Sequence, residues 1–153
     1  MTRRLEMCIA LVLLVFVAAP AFAQTDFSKA EYFPKATPGQ KKVKSLNGTL
    51  RFNTSQKEVQ FLNENNSVLT IPYGTVKSMS YERASKPRYA AGLLLAWPLL
   101  FTKSKKHWLT IQFTGDDGAG QFAIIRLDKS NFREALATAE SETGKKIERE
   151  QEK

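Results

Sequence analysis

Few side chains in this 153-residue chain have the type and spacing for chemistry: one histidine, one aspartate pair and two groups of cations. His107 with Asp116 or Asp117 could supply the base and acid of a hydrolase. Such a set also needs a nucleophile beside the base, and no Ser or Cys partner for His107 is evident. Asp116 and Asp117 lie in Gly115-Asp-Asp-Gly-Ala-Gly120, the composition of a tight turn. A calcium loop would need further oxygen ligands and a closing glutamate, and a phosphate loop would need a lysine. Zinc is equally unsupported, because one histidine and the single Cys8 do not make three or four ligands. The sequence therefore leads us to expect no catalytic residue, no metal and no cofactor, with the His107 hydrolase as the alternative.

The cations pose a different question. Tyr89 to Phe101 reads YAAGLLLAWPLLF, 13 residues without a charge. Arg83, Lys86 and Arg88 precede it, and Lys103, Lys105 and Lys106 follow. The stretch is too short to span a bilayer, which takes about 20 residues, and Pro98 limits its length as a helix. Leu93, Leu94, Leu95, Leu99, Leu100 and Phe101 would each gain about 1.5–3 kcal/mol on burial, so something must cover them. Three covers are open: the domain's own core, a bilayer entered shallowly with Trp97 at its interface, or a partner or second copy of the chain. A segment meant only for the core gains nothing from six nearby cations. We therefore expect attachment to an anionic membrane surface or a protein partner through Leu93, Leu94, Leu95, Trp97, Leu99, Leu100, Phe101 and the basic flanks. A homo-oligomer remains open.

The N-terminus carries its own signal. Arg3 and Arg4, an apolar core from Met7 to Ala19, Pro20, and Ala21-Phe22-Ala23 occur in the order of a secretory signal peptide. We expect cleavage before Gln24 and an exported protein, periplasmic or secreted, peripheral on a membrane in the attachment reading. Cleavage would leave 130 of the 153 residues, no cysteine, and a net charge of +7 after Arg3, Arg4 and Glu6 go from the +8 total. That size suits one domain held by packing alone. A basic balance favours acidic partners, but export argues against nucleic acid.

The elements that would position these groups are mostly strands. Residues 24–45 are polar and broken by Pro34, Pro38 and Gly39, and are expected to be a flexible arm. From Leu46 the apolar residues alternate: Leu50 and Phe52, then Val59 and Phe61. Strands over Val68–Ile71 and Val76–Glu82 follow, then Leu109, Ile111 and Phe113 in another. Gln121–Leu127 is apolar on both faces, which predicts a central strand. Phe132, Ala135, Leu136 and Ala139 form one helical stripe after Ser130-Asn131 and before Gly144. We expect that stripe to pack on Leu109, Ile111, Phe122 and Ile124. Residues 145–153 are expected to be a charged tail.

At Gly48–Leu62 (GTLRFNTSQKEVQFL) and Leu69–Glu82 (LTIPYGTVKSMSYE), the chain resembles the GRAM-type branch of the pleckstrin-homology superfold. The resemblance covers about residues 45–144. It implies a mainly β fold, an antiparallel barrel or roll with one C-terminal amphipathic helix plugging an end. It assigns no lipid-binding residue. The first hairpin offers only Arg51 and Lys57, and a shared fold is weak evidence for a shared activity.

Overall fold

Alternating apolar residues require a sheet with a buried face, and the computed structural model contains one. It describes residues 24–35, 44–64, 66–87 and 104–150. Eight strands form one sheet: β1 (Gln24–Phe33), β2 (Leu46–Asn53), β3 (Glu58–Asn63), β4 (Asn66–Pro72), β5 (Val76–Ala84), β6 (Lys106–Thr114), β7 (Gly120–Leu127) and β8 (Ile147–Arg149). Their order across the sheet is β4-β3-β2-β1-β7-β6-β5-β8. All pairings are antiparallel except β5 with β8, which is parallel. Among the described residues one α-helix, α1 (Phe132–Thr143), packs with this sheet.

Side chains on one face converge on a single apolar cluster. Phe27, Leu50, Phe52, Val59, Phe61, Ile71, Met79, Leu109, Ile111, Ile125 and Ile147 belong to it, as do Ala135, Leu136 and Ala139 of the helix. The expected stripe is thus the buried face of α1, with Phe132 packed partly against the cluster. Gly144 ends the helix at φ 66°, donating its N–H to the Glu140 carbonyl. Glycine takes this left-handed conformation without a Cβ penalty.

β7 lies between β1 and β6, as its two apolar faces predict. The face toward the helix is the other one from that expected, however. Ala123, Ile125 and Leu127 join the cluster, and Ile124 is buried outside it. Its in-register neighbours Phe33 and Thr110 are also buried, and Trp108 stacks edge-on against Phe33. Leu109 and Ile111 are in the cluster as expected.

Two termini of the domain differ from expectation. Residues 24–33, expected as part of a flexible arm, form the ten-residue β1 in the middle of the sheet. A bulge between Phe27 and Ala30 breaks its alternation, which hid the strand in the sequence. Residues 147–149 of the expected tail form β8, where Ile147 is buried against the core and its N–H donates to Glu140 Oε1.

Gly48, Pro72 and Tyr73 act structurally. Gly48 sits where β2 and β3 approach closely, and a Cβ there would lie 1.9 Å from the Leu62 carbonyl oxygen. Pro72-Tyr73 opens a short 3-10 turn whose Tyr73 N–H donates to the Lys57 carbonyl, fastening it to the first hairpin. Arg51 is committed to Asp26 by two hydrogen bonds of 2.7 and 2.8 Å.

Candidate functional site

Antiparallel pairing of β5 and β6 sets Arg83 opposite His107 and Ala84 opposite Lys106. This brings the sheet-side ends of the two basic flanks, Arg83 and Lys106, to one end of the sheet. Arg83, Lys86, Lys105 and Lys106 are among the described residues. Arg88, Lys103 and the apolar Leu93, Leu94, Leu95, Trp97, Leu99, Leu100 and Phe101 lie outside them.

Other elements deliver cations to the same end. Two adjoining recesses, of about 390 and 260 Å³, share Arg83, His107 and Lys129 as walls. Arg133 of α1 lines the first; Lys29, Lys105, Lys106 and Arg126 line the second. Asp128 is the one carboxylate lining either recess among the described residues. It accepts hydrogen bonds from the Ser130 backbone N–H and hydroxyl, which hold its carboxyl below the ordinary range. Arg126 is paired with Glu31, itself bonded by the Ser45 hydroxyl, so its charge is partly spent.

Local backbone chemistry explains how Lys29 reaches this end. The bulge in β1 puts Lys29 at φ 61°, a conformation costly for a residue with a Cβ. The neighbouring Ser28 carbonyl accepts from Asn131 Nδ2 at 3.2 Å, tying the bulge to the start of the helix. Asn131 is therefore the expected cap residue by position, but its side chain does not cap the helix.

His107 stands at the centre. Its Nδ1 lies 2.7 Å from the Tyr81 hydroxyl. Its ring stacks on Phe132, with centroids 3.8 Å apart and planes at 14°. Burial lowers its pKa below the ordinary value, and the neighbouring Arg83, Lys129 and Arg133 lower it further, against a small opposing effect of Asp128. Burial likewise raises the pKa of Tyr81, which stays a neutral phenol. The unfolded chain takes up a proton near pH 6.5 that the folded chain resists, so stability falls as pH drops through that value. The melting temperature is expected to fall between pH 7.5 and pH 5.5, and His107→Gln is expected to flatten that interval, as circular dichroism would record.

The structure separates His107 from Asp116 and Asp117. His107 is the second residue of β6, whereas Asp116 and Asp117 lie in the turn beyond its far end, about 20 Å or more along an extended strand. Asp117 accepts the Ala119 N–H, a turn contact.

Reasoning from the sequence missed Lys29, Arg126, Lys129 and Arg133. They come from β1, β7, the following turn and α1, and no local run links them. The only signal was Asp128-Lys129-Ser130-Asn131 before the helix, which reads as a cap.

No family model and no curated protein matches the chain. Among solved structures it is similar to the hSac2 domain from human phosphoinositide phosphatase Sac2, at 12% identity and a TM-score of 0.42. That match covers 97% of this chain and 90% of the other.

Proposed function

We propose that this protein is an exported, non-enzymatic attachment module that docks on an anionic membrane surface with the β5–β6 end of its sheet. One observation carries the reading. Seven cations, Lys29, Arg83, Lys105, Lys106, Arg126, Lys129 and Arg133, converge from separate segments at the end of the sheet where β5 stops and β6 starts. Each exposed cation near anionic headgroups contributes about 1 kcal/mol, within a Debye length of roughly 8 Å. Shallow insertion of residues 89–101 would act with them, as in interfacial anchors.

The same reading takes the sheet as a bent, pleckstrin-homology-like roll with α1 across its opening. Its support is the single cluster to which all eight strands contribute. A flat sheet of eight strands would be roughly 30 Å or more wide, and one helix about 10 Å across could not cover it.

Replacing residues 93–101 with a short Gly/Ser loop tests the attachment. Flotation with vesicles containing an anionic phospholipid is expected to be lost while the melting temperature is kept. Loss of an oligomer without loss of flotation would assign the segment to a protein partner, and unfolding would assign it to the core.

A further inference from the structure

Attachment by scattered charge would need no shaped site, yet the basic end has one. Arg83, His107 and Lys129 wall both recesses, and the His107 ring is held on two sides. Phe132 covers one ring face, and the Tyr81 hydroxyl fixes Nδ1. Arg133 lies over the Phe132 ring at 5.6 Å and lines the first recess together with Arg83 and Lys129, a third cation there. These groups arrive from β5, β6, the β7–α1 turn and α1, so their grouping is tertiary.

We propose that this recess binds a phosphate group against Arg83, Lys129 and Arg133, and that its binding is coupled to uptake of a proton by His107. The inference rests on the attachment reading above and names the chemistry of that same end. Three cations around one recess call for a ligand with more than one negative oxygen. A guanidinium and an ammonium bond phosphate oxygens through charge-assisted hydrogen bonds.

The coupling follows from what surrounds the imidazole. Arg83 faces it from β5, Lys129 and Asp128 from the turn, and Arg133 from α1. Lys106 adjoins it on β6 and Lys29 lies across the second recess, while Arg149 of β8 acts on its partner Tyr81. With the recess holding only water, these cations oppose a further positive charge. A bound phosphate neutralises them and turns repulsion into attraction. The proton comes from solvent and adds to the ring nitrogen that lacks one, so that in the imidazolium both nitrogens donate, Nδ1 toward the Tyr81 oxygen. By linkage, phosphate raises the imidazole's affinity for the proton, and lower pH raises the recess's affinity for phosphate by the same factor.

Because His107 is the only histidine, its ring protons give one unambiguous titration by NMR. The purified exported protein is titrated in chloride, in inorganic phosphate at matched ionic strength, and with vesicles containing an anionic phospholipid. Phosphate is expected to raise the titration midpoint by about half a pH unit or more, equivalent to about threefold tighter binding of the acid form. Arg83→Gln, at an exposed position, is expected to raise the phosphate-free midpoint and to erase most of the phosphate-induced change. A merely structural arginine would do neither. If vesicles also raise the midpoint and float more protein at pH 5.5 than at pH 7.5, the phosphate is a lipid headgroup. If inorganic phosphate acts and vesicles do not bind, the site takes a free phosphate and the attachment reading fails alone. Equal midpoints in chloride and phosphate overturn the inference; flotation that persists alongside them leaves the attachment reading standing.

Discussion

Leu136→Asp is expected to leave the chain without a cooperative unfolding transition. Leu136 is 2% exposed and flanked along the helix face by Ala135 and Ala139, which are fully buried. The change removes an apolar side chain whose loss alone costs about 2–5 kcal/mol. It also places a carboxylate where no cation of the cluster can pair with it, a further cost of several kcal/mol. A domain's whole stability is about 5–15 kcal/mol, so the sum is comparable to everything that holds this one together. Ala137→Asp is the matched control. Ala137 is exposed one residue along, and its change is expected to shift the melting temperature by only a few degrees. Near-native melting of Leu136→Asp in a thermal denaturation experiment would show that α1 does not close the core.

The second large effect is expected from reversing charge at the basic end. Arg83→Glu with Lys129→Glu changes the local charge by four units, and both residues are exposed, so folding is expected to survive. At about 1 kcal/mol per charge near an anionic surface, vesicle affinity is expected to fall about a hundred- to thousandfold. High salt is expected to weaken the unaltered protein in the same direction, because exposed charges are screened. Vesicle co-sedimentation over a salt series measures both. Arg126 is a poor choice for this test, since its pairing with Glu31 would mix a stability loss into the result. Affinity unchanged by the double reversal would remove the electrostatic basis of attachment.

Much of this architecture could be read along the chain, because period-two alternation and a helical stripe are local signals. Leu50 with Phe52, Val59 with Phe61, and Leu109 with Ile111 and Phe113 each located a strand, and Phe132 to Ala139 located the helix. The turn at Gly115–Gly120 was legible for the same reason: Gly118 takes φ 76°, and Asp117 bonds the backbone two residues on.

What the sequence could not decide was anything requiring two distant segments to meet. β1 stayed hidden because its bulge at Ser28-Lys29 shifts the apolar residues out of alternation, and only pairing with β2 and β7 makes it a strand. β8 is three residues long with one buried side chain, too little for a periodic signal. The face of β7 that meets the helix depended on register. Alternation fixes that the two faces differ, and a one-residue shift exchanges them. The basic flanks were visible as charge runs, but Lys29, Arg126, Lys129 and Arg133 join them only because the sheet order and the helix start bring separate segments to one end. His107 shows the division most plainly. By sequence it is a lone histidine without a partner. Tertiary packing gives it Tyr81, Phe132 and a ring of cations, since hydrogen bonds and Coulomb interactions depend on distance in space and not along the chain.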